Sequence, residues 1–261
     1  IDIDQSSNLI KNSINNIENK INFIFKKTTI IINPYDVLSL NVSGFKKLSG
    51  SQILKDDITY ILNDIKKTIK LTEPEKKILH LFNSNFIIDK NEISKIPIGL
   101  HGEFYNQDMS FIMVNETFLK NINLVLNICN IDISKIIFKP FAVGIKKILL
   151  NKKYKNSIMF DLKRKRVVTS IFVNESMVFT DNLSFGTETI INDVVKVCSL
   201  EESCVRDFLK NTEIKDLVDG EKFLEKKYFE NNAFRKISIG HLLNIINARI
   251  DEIIDLILNK N

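Results

Sequence analysis

Four consecutive cations, Lys163-Arg164-Lys165-Arg166, follow Asp161 and Leu162 and lead into Val167. They stand between two runs read as strands, which makes them the turn of a hairpin. Such a cluster is either a solvated turn or a contact for a phosphate or an acidic partner. Gly186 and Thr187 open a helical run further on and read as a helix-entry turn. Arg235, Lys236 and Arg249 place positive charge in and before the last helical stretch. Arg249 lies three residues before Glu252, so the two meet on one helix face, and this pairing competes with any partner contact. His80, His101 and His241 are far apart and form no HExxH pattern. Cys129, Cys198 and Cys204 are odd in number and contain no CxxC pair, which argues for reduced thiols and against a disulfide framework or zinc. The carboxylate pairs Asp56-Asp57 and Glu201-Glu202 stand at helix starts, where the dipole favours them. No GxSxG, P-loop or dinucleotide fingerprint is present.

The elements that must position these residues follow from periodicity. The chain has 261 residues, 44% of them hydrophobic, enough for a sizeable core. Its net charge of +5 is scattered among acids, without the basic stripe that nucleic acid requires, so no nucleic-acid partner is expected. No apolar run reaches the roughly 18–20 residues of a bilayer span, and no secretory signal is visible. The chain starts at Ile1 rather than Met, which leaves room for upstream residues.

The spacing of Leu9, Ile10, Ile14 and Ile17 predicts a helix over 6–20, with Ser6 or Ser7 as N-cap. Strands are predicted at 28–32 and 37–42, separated by the Asn33-Pro34-Tyr35-Asp36 turn, the second ending at Ser43-Gly44. A helix over 56–71, a strand over 76–89, a turn-rich segment over 97–103 and a strand over 109–114 follow. Next come a helix over 118–129, a strand over 133–138 stopped by Pro140, and a helix over 141–150. Strands over 157–162, 167–173 and 177–183 precede helices over 187–197, 200–210 and 237–259. This is a mixed α/β (α+β) order, in which helices cover sheets.

Three stretches together resemble the FtsA family of the bacterial actin superfamily. The first contains Ile78-Leu79-His80, Phe86-Ile87-Ile88-Asp89 and Pro97-Ile98-Gly99-Leu100-His101-Gly102-Glu103. It is similar to the family's inserted subdomain, called 1C. The second spans 121–140 with Ala142 and resembles the family's helix–strand ending in Pro-x-Ala. The third, 237–258, resembles its internal helix with a Pro-Arg…Glu pattern. Gly99, Gly102, Pro140 and Arg249 are not apolar, so an isoleucine-rich composition alone does not produce the match.

The resemblance implies actin-like (ribonuclease H-like) lobes with an inserted SHS2-type subdomain. Residues 1–27 and 116–150 would form part of the first lobe and 28–115 the insert. Residues 151–261 would form the second lobe, its final helix returning towards the first. FtsA-like proteins bind the C-terminal tail of FtsZ, form filaments or dimers, and contact other division proteins through the insert. The expected function is therefore a cell-division adaptor at the cytoplasmic face of the inner membrane. Arg235, Lys236 and Arg249 would meet the partly acidic tail, although Ile239 stands where the family has an arginine. The final helix matches an internal family helix, not its terminal membrane-binding one, so it reads as core packing.

Family members hold ATP with two hairpin turns, the second reading Asp-x-Gly-Gly-Gly-Thr-Thr. The aligned stretch keeps Asp161 but has cations at the glycine positions and lacks both threonines. β-Carbons there would crowd a phosphate. Asp161, Gly186 and Thr187 are what remains of the site. The expectation is no cofactor and no ATPase activity, with ATP and Mg as the alternative that a nucleotide-binding, polymerising actin homologue, including a pilus-assembly one, would need.

Overall fold

A computed structural model describes residues 2–150, 156–211, 222–229 and 234–259. Two compact units emerge. Unit 1 comprises 1–159 and 170–182; unit 2 comprises 160–169 and 183–261.

Unit 1 begins with α1 (Ile3–Ile21). Its N-cap is Asp2, whose side chain accepts from Gln5 N, rather than Ser6 or Ser7. The Ser7 hydroxyl instead donates to Asp4 O. β1 (Lys27–Ile32) pairs in parallel with β6 (Asp132–Phe138). It does not join the sheet of the insert, so that sheet starts at Val37 rather than near residue 28.

The insert is a four-stranded sheet in the order β2-β5-β3-β4, from β2 (Val37–Lys47), β3 (Lys76–Ile88), β4 (Asn91–Ile93) and β5 (Phe104–Asn115). All its pairings are antiparallel. α2 (Lys55–Thr72) lies across one face, burying Ile61, Ile65 and Ile69 on Tyr105, Met109, Phe111 and Met113. Ser43-Gly44 does not end β2 as the turn-forming residues predict. A β-carbon on Gly44 would lie 2.3 Å from Ile61 Cγ2, so the glycine is what lets α2 settle on the strand. The short β4 has too few residues to show a period, and the sequence reading missed it.

α3 (Glu116–Ile128) starts at Asn115, whose side chain accepts from the amides of Thr117 and Phe118. Its Leu119 and Ile122 pack on Ile30 and Ile32. α4 (Lys139–Leu150) follows β6 directly, with Pro140 in its first turn, where no amide partner is lost. β7 (Ser157–Leu162), β8 (Val167–Val173) and β9 (Ser176–Leu183) form a three-stranded sheet in that order. Asn174 and Glu175 both have positive φ, the type I′ geometry of a two-residue hairpin.

In unit 2, α5 (Thr187–Cys198), α6 (Glu202–Asn211) and α7 (Ile239–Asn259) share a core of Ile191, Val194, Val205, Phe208 and Leu242. α7 starts two residues later than predicted. Ile237 and Ser238 are extended, with Leu224 N donating to Ile237 O and Ile239 N to Lys222 O. No helix among the described residues is long and apolar enough to cross a membrane.

Candidate functional site

The β7–β8 turn and the start of α5 close directly on one another. Lys163 N donates to Arg166 O at 2.8 Å, which shuts the hairpin. The carbonyls of that turn then point at the first amides of α5. Thr187 N donates to Lys163 O at 2.9 Å and Glu188 N to Arg164 O at 2.8 Å. A helix N-terminus offers unpaired amides to anions; here two of them are taken by the chain's own backbone. Gly186 sits at the crossing. A β-carbon there would lie 2.4 Å from Lys163 O and 2.5 Å from Arg164 O. Its φ of −151° is extended, so space rather than backbone freedom requires the glycine.

Side chains reinforce the closure. Lys163 Nζ lies 2.7 Å from Asp161, and Arg164 donates to Glu188 Oε1 at 2.9 Å. Arg206 of α6 reaches the same Glu188 oxygen at 3.8 Å. The three residues named from sequence for a nucleotide, Asp161, Gly186 and Thr187, are thus brought together. Asp161 pairs with a cation, Gly186 is filled by carbonyls, and Thr187 has its amide committed.

The three cations named for a partner are distributed differently. Arg249 on α7 pairs with Asp193 of α5 and with Glu252, and the hydrogen bond to Asp193 raises its pKa. Its guanidinium therefore ties two helices together. Arg235 donates to Cys198 O at 3.2 Å and Ser199 O at 2.8 Å, satisfying carbonyls at the end of α5. Lys236 is exposed, its ammonium 5.8 Å from the centre of the Phe223 ring. Beside this strand-like stretch lies a cavity of about 500 Å³ whose wall includes Phe208, Lys222, Phe223, Tyr228 and the Glu225–Lys227 ion pair. Sequence reasoning missed Lys222, Phe223 and Lys227, because only the pairing of 222–224 with 237–239 brings them beside Lys236.

The motif residues of unit 1 prove to be a loop clamp. The Asp89 carboxylate accepts from Glu103 N at 2.9 Å and Phe104 N at 2.8 Å. A β-carbon on Gly102 would meet Ile88 Cγ2 at 2.5 Å, so only glycine lets the loop close on β3. Gly99 has φ +92° and turns the preceding segment. His80, in the same motif, accepts on Nε2 from the buried Phe138 N at 2.9 Å. Burial lowers its pKa, which keeps the ring neutral for that role. No group of three or more metal-ligating side chains occurs among the described residues.

Residues 36–113 match the family model described as the SHS2 domain inserted in FTSA. This is the four-stranded sheet with α2, nearly residue for residue. The FtsA cell-division protein of Neisseria meningitidis is 22% identical over 261 residues, covering 99% of this chain and 62% of that protein. Its counterpart in Agrobacterium fabrum is 20% identical over 221 residues, covering 82% of this chain and 49% of that one.

This is an FtsA-like chain.

Its fold is mixed α/β and actin-like. A solved PilM–PilN type IV pilus biogenesis complex superposes on the FtsA-like chain with a TM-score of 0.51 over 79% of it and 56% of the other, at 8% identity. The FtsA-like chain spans about half to three-fifths of the length of these curated relatives.

Proposed function

We propose that this chain is a cell-division adaptor that works without a nucleotide. The observation that carries the reading is the closed junction of the β7–β8 turn with α5, in which Lys163 O and Arg164 O occupy the amides of Thr187 and Glu188. An FtsA-like chain with that junction closed lacks the open cradle that a nucleotide switch depends on. ATP hydrolysis is accordingly no part of the proposal. Its role rests on binding: to the partly acidic C-terminal tail of FtsZ, to further copies of itself, and to other division proteins through the SHS2 unit. The place of action is the cytoplasmic face of the membrane at the division site.

The tail's receptor is the unit 2 cavity of about 500 Å³. Lys222 and Lys236 supply positive charge at its wall and margin, Lys227 in the same wall is paired with Glu225, and Phe208 and Phe223 supply apolar surface. A short acidic peptide with an apolar anchor matches both properties. Arg249 ties α7 to α5 through Asp193, and Arg235 satisfies carbonyls at the end of α5.

The test is fluorescence anisotropy of a labelled peptide carrying the cognate FtsZ tail. Binding with a Kd on the order of 1–10 μM, unchanged by MgATP, is expected. Lys227→Glu and Lys236→Glu should each weaken it about fivefold, most strongly at low salt. Failure of the folded protein to bind the peptide removes FtsZ as partner. Binding that appears only with MgATP overturns the nucleotide-independent reading.

A further inference from the structure

Glu188 stands where three parts of unit 2 meet. Its main-chain amide donates to Arg164 O at 2.8 Å. The Arg164 guanidinium donates back to Glu188 Oε1, from Nε at 3.2 Å and Nη2 at 2.9 Å. The β7–β8 turn and the first turn of α5 are thus clasped twice, through main chain one way and side chains the other. Arg206 of α6 comes within 3.8 Å of the same Glu188 oxygen, while its Nε donates to Glu202 Oε1 at 2.7 Å. One guanidinium therefore bridges the first turn of α6 to the first turn of α5. The Glu188 side chain is 24% exposed, so water screens its pairs less than those of an open surface.

The far side of α6 faces the cavity of about 500 Å³. Phe208, two residues beyond Arg206, is buried and meets the Tyr228 ring edge-on, with centroids 5.5 Å apart. Phe208, Asn211 and Tyr228 all line the cavity. α6 has only ten residues, too few to hold a helix without tertiary support. Val205 and Phe208 supply that support by packing on Ile191 and Val194. Apolar packing is non-directional, so it fixes how deep α6 lies more firmly than how it is rotated. A charged fork shared between Glu188 and Glu202 supplies the missing direction.

We infer that Arg206 is a positioning residue of the tail receptor, holding α6 and its Phe208 wall, through Glu188, in register with the Lys163–Arg164 turn. The ligand in this inference is the one proposed above, and the receptor role rests on that reading. The turn and the receptor are then coupled sites. Loosening the clasp at Glu188 weakens the peptide, and by linkage the bound peptide steadies the clasp by the same factor.

The test is a double-mutant cycle on the whole chain with Glu188→Gln, Arg206→Gln and both together, with Arg206→Lys as the conservative control. Amide exchange at Val205 and Phe208 is read in the free proteins, and anisotropy of the labelled FtsZ-tail peptide gives the affinity. Each single glutamine change should speed exchange and weaken the peptide about twofold to threefold. The double variant should fall short of the product of the single effects. Arg206→Lys should recover part of the loss, and about 1 M salt should erase the differences. Multiplicative single effects, or parent-like exchange in both single variants, overturn the inference. So does coupled exchange with unchanged affinity, because α6 would then not be serving the receptor. A peptide that binds none of the proteins removes FtsZ as partner, and the exchange cycle alone then decides whether Glu188 and Arg206 hold the wall.

Discussion

Replacing Gly186 by alanine tests whether the residual glycine serves a nucleotide or a helix start. The new β-carbon would stand 2.4 Å from Lys163 O and 2.5 Å from Arg164 O, both backbone atoms that cannot swing aside like a side chain. Reaching ordinary van der Waals separation requires the turn to retreat by roughly 1 Å. The bonds from Thr187 N and Glu188 N, now 2.9 and 2.8 Å, would then stretch beyond hydrogen-bonding range. Two such bonds are worth about 1 kcal/mol each, so Gly186→Ala should cost about 2 kcal/mol. The apolar face of α5, with Ile190, Ile191 and Val194 buried, should hold the helix in place, so the loss stays local. In a chain of this size the midpoint of thermal unfolding should fall by about 4–8 °C. Differential scanning calorimetry of both proteins, with and without MgATP, is the assay. A variant with the parent's midpoint refutes the closed junction. So does a parent stabilised by MgATP when the variant is not, because the glycine would then be serving the nucleotide.

His80 supplies a pH signature. Its lowered pKa means that the unfolded chain takes up the proton first, so the stabilisation is complete above the ordinary value of 6.5 and is lost as pH falls through the lowered folded value. His80→Gln, which keeps an acceptor for Phe138 N but does not titrate, should flatten urea-derived stability against pH below 6.5. His80→Phe should cost about 1–3 kcal/mol at every pH by orphaning that amide. Asp89→Ala removes the acceptor for Glu103 N and Phe104 N and should speed amide exchange at both while costing about 2 kcal/mol. Arg249→Ala should lower the thermal midpoint of unit 2, by leaving Asp193 without its partner, while the FtsZ-tail peptide binds the folded variant with an affinity within about twofold of the parent. A large affinity loss with no stability loss would instead return Arg249 to the binding surface.

Most secondary structure was legible in the sequence because burial imposes a period. α2 shows three-and-four spacing along Ile58, Ile61, Ile65 and Ile69, and β7 alternates strictly, while β8 reads as a short, largely buried apolar run. The errors fall where a local signal and a tertiary one conflict. Gly44 looks like a strand end but is a strand interior shaped by α2. Ser6 and Ser7 look like caps, but Asp2 was already in position to cap α1.

The sequence by itself determined the helix faces, the hairpin at Lys163–Arg166 and the glycine-poor character of any phosphate site, because these depend on residues close together in the chain. Only the tertiary structure decided what the surviving residues do. Gly186 faces two carbonyls contributed from more than twenty residues away, and Arg249 meets Asp193 across two helices. It also decided that β1 pairs with β6 across a hundred residues. Strand pairing and ion pairing are long-range, and a linear pattern carries the type of each group but not the distance between them.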